Sequence, residues 1–460
     1  VVRLLLDYSE NKSIDLNQQD KLGWTAFMFA CGNGHEDVVK VLLDYSGSQL
    51  IGFNDQCIVK RTAFMLACER GQLKVIRLLL DYSETKSIDL KKKDKLGRTA
   101  LMVACEHDQK EVFRSILYHS DDAFDSCITD NDKLTTFMFV CKIGKPEMVQ
   151  TMLDHPTSIK LNNRVTRYVL NDNWYQSTQF LDGFLVACER SHVDIVNLLL
   201  NHPLSRNIDW NMATGSSRFF KIVFGVCTSI DIVKLILDHT NVAMSMPERI
   251  LYACIDGNQE VVKFLMENSV TYKIDVNARS PLGETSFMCA CKLGRENIVR
   301  LLLDNSENMQ VDFNARDDEG RTGLMLACKN GHVEVVLILI GYIERGCNIQ
   351  VNIKNTSGET ALMIACQNRQ VEIVRLLLDL NNIELPNSSE LSWNQGTLAR
   401  NHNEESIQKM LEEKWADTVV GALGQAETYE DLLVDLDYFA ESDETDGEVS
   451  DDTDNDNGVD

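Results

Sequence analysis

The stretch Gly320–Ile340, GRTGLMLACKNGHVEVVLILI, decides the fold, because it reads as two short helices around a tight turn and the chain keeps returning to it. Leu324, Ala327 and Cys328 at i, i+3, i+4 predict an apolar face on a first helix over about Thr322 to Lys329. The Thr322 hydroxyl can cap that helix by accepting a backbone N–H that has no partner inside it. Gly331 stands where the chain must reverse, a position that favours a residue at ease with positive φ. Val335, Val336, Leu339 and Ile340 then make a stripe on a second helix. One short helix cannot bury that stripe alone, so the unit needs another copy stacked against it.

Length and composition agree with such an array. Across 460 residues, 44% hydrophobic, the repetition favours one long stack over several globules. The longest apolar run, Val335 to Ile343, is broken by Gly341 and Tyr342 and is too short to span a bilayer. The opening VVRLLLDYSE has neither the basic start nor the cleavage site of a signal peptide, and is expected to be the second helix of a repeat whose first helix lies upstream.

Ten of the fourteen cysteines occupy one repeat position: Cys31, Cys68, Cys105, Cys141, Cys188, Cys227, Cys254, Cys291, Cys328 and Cys366. Each is expected inside its own helix pair as a small buried hydrophobe, which implies a reducing, intracellular setting, cytoplasmic rather than nuclear. Their separations are 37, 37, 36, 47, 39, 27, 37, 37 and 38 residues, a period with three exceptions in the middle.

The frame Gly23-Trp-Thr-Ala-Phe-Met-Phe-Ala-Cys31, followed by Gly34-His35 and Val38-Val39-Lys-Val-Leu-Leu43, resembles the ankyrin repeat, and it recurs from Gly97, Gly283, Gly320 and Gly358, and from Thr62 without the leading Gly. The resemblance covers about residues 1 to 411. It implies an all-α solenoid of stacked helix-turn-helix units with β-hairpin-like fingers, and a function in binding other proteins. Three departures stand out. The family's Pro is absent, and its His is replaced by Met28, Met65, Met102, Met138, Met288, Met325 and Met363, which are expected to fill the core. The period is 37 rather than 33, with four extra residues after the second helix. Between Cys141 and Cys188 ten residues are added, including Asn171–Ser177, and about ten are missing between Cys227 and Cys254; there the capping Thr is read as replaced by Asp182, Lys221 and Glu248.

The expected organisation is therefore residues 1–154, a half-repeat and four repeats; 155–270, degenerate repeats that either form a hinge or have simply drifted; 271–411, regular repeats with a C-terminal cap carrying Arg400 at the cysteine position; and 412–460, an acidic tail. Residues after Pro386 carry −18 of the net charge of −25. The end of the tail has too little apolar surface to fold and is expected to be disordered. One apolar island interrupts it, with Leu432, Leu433, Val434, Leu436, Tyr438 and Phe439 set among acids. It is either a docking motif for a partner or part of a solubilising tail; Leu433–Asp437 also resembles the clathrin-box motif of endocytic adaptors.

The sequence has no phosphate loop, no His-Glu-x-x-His, no Gly-x-Ser-x-Gly and no cysteine or histidine spacing for zinc. No enzyme activity, cofactor or metal is expected. A chain of net −25 is a poor match for nucleic acid, and Lys91–Lys95 reads as a solvated basic edge.

Partner-binding residues are expected at two places. The residue between the Gly and Thr positions varies while its neighbours hardly change: Trp24, Arg61, Arg98, Glu284, Arg321 and Glu359. On the first helices the groove-facing candidates are Glu69, Arg70, Glu106, His107, Glu189, Arg190, Lys292 and Lys329. The reading is a monomeric, non-enzymatic interaction scaffold or adaptor. Two alternatives stay open: a transcriptional or trafficking regulator acting through the acidic tail, and the binding arm of a larger enzyme or channel.

Overall fold

The structure is a computed structural model that describes residues 2–3, 5–6, 15–45, 51–83, 85–119, 128–159, 161, 165–170, 173–207, 219, 221–239, 249–386 and 402–423. It forms two compact units, Val1–Ala290 with Asn297–Asp312, and Cys291–Glu296 with Phe313–Asp460.

In the first unit, helix pairs follow one another as α1 (Ala26–Gly32) and α2 (Glu36–Asp44), α3 (Ala63–Glu69) and α4 (Leu73–Asp81), α5 (Ala100–Glu106) and α6 (Lys110–His119), α7 (Thr136–Ile143) and α8 (Pro146–Asp154). Threonine caps each first helix: Thr25, Thr62, Thr99 and Thr135 accept from the backbone N–H of Met28, Met65, Met102 and Met138. All four methionines are buried, as are Met288, Met325 and Met363, so they fill the core. The ten repeat-position cysteines are fully buried.

The turn between the two helices demands a left-handed residue. At Gly71 φ is +67°, and a Cβ would lie 2.1 Å from Gln109 Oε1 of the next repeat. Gln109 reaches back to donate to the Glu69 carbonyl at 3.5 Å. Gln72 does the same to Gly32 O, His192 to Lys142 O and Asn258 to Cys227 O, so a donor on each layer ties it to the one before. A second set of ties runs along the extended segments. Asn54 donates to Ser87 O and accepts from Asp89 N–H, both at 2.7 Å; Asn277 makes the same pair with Gln310 O and Asp312 N–H, both at 2.9 Å.

The extra residues of the 37-residue period are spent on a further helical turn. Ser269–Tyr272 and Ser306–Met309 are such turns, closed by Lys273 and Gln310 at φ +51° and +49°. The tyrosine of the turn bonds the preceding layer: Tyr82 Oη donates to Asp44, and Tyr272 Oη to Asp238 Oδ1 at 2.7 Å.

The middle departs from expectation in two ways. Residues 165–170 and 173–178 form an antiparallel pair, β1 (Val165–Leu170) and β2 (Asn173–Thr178), from Val165 opposite Thr178 to Leu170 opposite Asn173. The following helix, α9 (Gln179–Glu189), starts earlier than the repeat frame predicts. Its cap is Thr178, which accepts from Leu181 N–H at 3.2 Å. Asp182 is therefore not a cap but a fully buried residue inside the helix. Then come α10 (Val193–Asn201), a π-helical segment Lys221–Val226, α11 (Ile230–His239), α12 (Arg249–Asp256) and α13 (Gln259–Glu267). Glu248 lies outside the described residues. Helices α14 (Ser286–Lys292) and α15 (Glu296–Asp304) carry residues of both units.

The second unit has α16 (Gly323–Asn330), α17 (Val333–Glu344), α18 (Ala361–Gln367), α19 (Val371–Leu378) and α20 (His402–Leu423). Asn314 bonds Asn348 O and Gln350 N–H, both at 2.8 Å, and Asn352 bonds Asn382 O and Glu384 N–H, the same ties as in the first unit. In α20, Ile407 and Leu411 are buried, and the helix runs on to Leu423 rather than ending at 411. Arg400 lies outside the described residues.

Candidate functional site

Five of the fingers are built on a side chain that accepts from its own backbone. Asp94 Oδ1 accepts from Leu96 N–H and Arg98 N–H, both at 2.9 Å; Asp20, Asp317 and Asn355 make the same two bonds in their fingers, and Ser280 does so with its hydroxyl. These bonds add to backbone pairs of the same loop, Asp94 N–H to Arg98 O and Gly97 N–H to Asp94 O, both at 3.0 Å, and hold it in one conformation. Gly97 follows at φ +77°, packed so that a Cβ would meet Asn131 N at 2.7 Å. The variable residue comes next, immediately before the capping Thr.

That geometry lays the variable residue across the last turn of its own first helix, eight positions later. Trp24 lies over Gly32, whose missing Cβ would sit 3.6 Å from the indole. Arg61 Nη1 meets Glu69 Oε2 at 2.6 Å, Arg98 Nη1 bonds Glu106 Oε2, and Glu359 Oε1 accepts from Gln367 Nε2 at 2.8 Å. Arg321 has Lys329 at the matching place; it turns instead to Asp317 Oδ2 at 2.8 Å and Glu319 Oε2 at 2.7 Å.

Between the second and third fingers these pairs close into a ring of six residues. Arg61 pairs with Glu69; Glu69 Oε1 lies 3.8 Å from His107 Nε2; His107 lies 3.6 Å from Glu106; Glu106 pairs with Arg98; Arg98 donates through Nε and Nη2 to Asp94 Oδ2 at 2.9 and 2.7 Å; and Asp94 Oδ2 lies 3.8 Å from Arg61 Nε. Burial pulls the Arg98 guanidinium pKa down, but the hydrogen bonds and charges of Asp94 and Glu106 outweigh it, so the net shift is upward.

Beside the ring sits an aromatic and cationic cluster. The Trp24 and Phe29 rings are 5.0 Å apart at 52°, and the Arg70 guanidinium stands 5.2 Å from the Trp24 ring centroid while Arg70 Nη1 donates to Asn33 Oδ1 at 2.8 Å. Phe29 is 44% exposed and Arg70 is exposed. An amphipathic cluster with a guanidinium held over an indole can take an apolar side chain and a carboxylate together.

The structure thus brings together Trp24, Arg61, Glu69, Arg70, Arg98, Glu106 and His107. It does not bring the others to this place. Arg98 and Glu284 are buried, against the expectation that their position is free of structural duty. Glu284 Oε2 accepts from Cys289 Sγ at 3.7 Å. Glu189 and Arg190 are exposed at the end of α9, and Lys329 is exposed at the end of α16. Lys292 is half-buried, and its carbonyl accepts from His332 Nε2 at 2.9 Å. The tail residues Leu432, Leu433, Val434, Leu436, Tyr438 and Phe439 lie outside the described residues. Phe29 was not foreseen: its counterparts Leu66 and Val103 are equally apolar but buried, so the pattern holds no signal for its exposure.

Among the described residues no group of His, Cys, Asp and Glu is placed to hold a metal ion, and no helix is long and apolar enough to cross a membrane. The family model described as ankyrin repeats (3 copies) matches residues 1–54, 47–126, 224–317 and 307–389. Of the two spans it leaves unmatched, 127–223 and 390–460, the first contains the β1–β2 insertion and the displaced cap at Thr178. No curated protein matches the chain.

Proposed function

The chain belongs to the ankyrin-repeat family, and from that premise we propose that it is a non-enzymatic interaction scaffold or adaptor whose partner proteins dock on the face carrying Trp24, Phe29, Arg70 and the six-residue ring. Ankyrin repeats mediate protein–protein interaction and are typically non-catalytic binding modules. The observation that carries the finer reading is the solvent-facing Trp24–Phe29–Arg70 cluster. Trp and Arg dominate binding energy at protein interfaces. Here their side chains are already held, by stacking and by the Asn33 bond, so less ordering remains when a partner arrives. The ring serves the same end, fixing the Glu106 and His107 side chains on the exposed rim.

The thirteen described cysteines are all free thiols, which supports work in a reducing compartment, and we place the protein in the cytoplasm as a monomer. The test is the full chain carrying Trp24→Ala and Arg70→Ala. Partner binding should weaken about tenfold or more while the thermal melt stays that of the parent. Undiminished binding by this variant would contradict the proposal.

A further inference from the structure

The tips of the first three fingers carry large apolar side chains into solvent. Leu22 is 62% exposed, Ile58 62%, Val59 47% and Leu96 55%. Backbone hydrogen bonds stitch these tips in register: Ile58 N–H donates to Leu22 O at 3.1 Å, Lys95 N–H to Val59 O at 2.9 Å, and Asn131 N–H to Leu96 O at 3.0 Å. In the second unit the same stitch joins Thr356 N–H to Glu319 O at 3.0 Å, with an acid at the tip. The fold therefore does not require an apolar residue there. The apolar ridge ends at the fourth finger, where Asn131 and Asp132 stand.

Lysines flank the ridge. Lys21, Lys60 and Lys95 are exposed, and among the described residues none has a carboxylate partner within 4.0 Å. An apolar line bordered by unneutralised ammonium groups suits a partner that is apolar along one edge and acidic between. Spacing sets the rest. Neighbouring layers are about 8 to 10 Å apart. A polyproline-II segment, with three residues per turn and a rise of about 3.1 Å, puts every third side chain on one face at about 9 Å intervals. A β-strand would send every third side chain to alternate faces.

We infer that this ridge is a second protein-binding surface, separate from the Trp24–Arg70 face, and that its occupant is an acidic partner segment in extended polyproline-II conformation with an apolar residue at every third position. The inference rests on the protein-binding reading above and adds the chemistry of one partner. Leu22, Val59 and Leu96 receive the three apolar side chains, and Lys21, Lys60 and Lys95 face the acids between them.

The chain's own sequence supplies a probe of this chemistry: Tyr429–Phe439 has Leu433, Leu436 and Phe439 at i, i+3, i+6 with Asp435 and Asp437 between. A fluorescein-labelled peptide of that sequence is titrated by polarisation into the full chain. It should bind, weaken about tenfold or more at roughly 0.5 M NaCl, and fail with the acids changed to Asn and Gln. Binding should also fall about tenfold or more in Leu22→Ser/Val59→Ser/Leu96→Ser and in Lys21→Glu/Lys60→Glu/Lys95→Glu, and stay unchanged in Trp24→Ala/Arg70→Ala. Circular dichroism checks that these surface variants remain folded. Equal binding by the ridge variants, or loss only in Trp24→Ala/Arg70→Ala, overturns the ridge and leaves the protein-binding reading standing. No binding at all overturns the ridge as well. If the peptide binds only when Leu433, Leu436 and Phe439 of the chain are changed to Ser, the occupant is the chain's own segment and the partner assignment is overturned.

Discussion

Removing the Asp94 carboxylate should unfasten two layers at once. Asp94 is 5% exposed and accepts four hydrogen bonds, from Leu96 N–H, Arg98 N–H, Arg98 Nε and Arg98 Nη2, with Arg61 Nε a further 3.8 Å neighbour. In Asp94→Ala the two backbone donors lose bonds worth about 1 kcal/mol each. The buried Arg98 guanidinium keeps only Glu106, and stranding one partner of a buried pair costs about 3–5 kcal/mol. Because Glu106 remains, and because the loop can admit water once the turn opens, the lower end of that range applies to Arg98, and the sum is about 5 kcal/mol. Asp94→Asn keeps the Oδ1 acceptor and should cost about half as much. Replacing Arg98 by Leu in the Asp94→Ala background removes the stranded charge and should return about 1–2 kcal/mol, a non-additivity that a double-mutant cycle reads directly. Urea unfolding followed by circular dichroism gives the energies. Amide exchange in α3 and α5 gives the location, since stacked repeats lose stability locally and through their neighbours. A cost under about 1 kcal/mol for Asp94→Ala, or no recovery on adding Arg98→Leu, would refute the ring as a buried, coupled structure.

Other consequences are open to simpler tests. Gly71→Ala should destabilise by about 1–2 kcal/mol through its positive φ and more through collision with Gln109, whereas Gly346→Ala, at φ +89° with nothing within 4 Å, should lose only the backbone part in urea titrations. Asn314→Ala deletes both bonds to the next layer and should cost about 1–3 kcal/mol, with faster exchange at Gln350 N–H, its lost donor. Burial raises the thiol pKa of nine repeat-position cysteines, all but Cys291, to about 12 for Cys105 and Cys366, above the unfolded value of about 8.5. Their contribution to stability is therefore complete below that unfolded value and is lost as pH rises toward the folded value, so alkaline unfolding should set in above about pH 9. A thiol reagent at neutral pH should leave these cysteines unlabelled until urea opens the stack.

The repeat is legible because each regular copy states the same three requirements: a Thr cap, a core Met and Cys, and a left-handed turn residue. Even where the turn Gly is replaced, Asp108, Ser191 and Arg369 hold φ between +57° and +58°. The cap at Thr178 was not legible, because the inserted strand pair moves the helix start off the repeat frame, and Asp182 then falls at the place where a cap would be counted. The strand pair itself had a signal in the two-residue Asn171-Asp172 link between residues of high strand preference. The burial of Arg98 was also written in the chain, as an acid four residues before it and another eight after. The variable position taken by itself carries no sign of this pairing. The pairs Arg61 with Glu69, Arg98 with Glu106 and Glu359 with Gln367 show that it is matched to its own helix, and the mismatch of Arg321 with Lys329 shows what happens otherwise. Exposure of Phe29, Leu22, Ile58 and Leu96 depends on what covers each position in three dimensions, which one-dimensional periodicity does not carry.

The most direct test of the scaffold reading is affinity capture from lysate with three baits: the full chain, the full chain with Trp24→Ala and Arg70→Ala, and a chain ending at Leu423. The same proteins should be retained by the full and the shortened chain and lost from the double variant. Retention by the double variant together with loss from the shortened chain would contradict the scaffold reading and assign binding to the acidic tail.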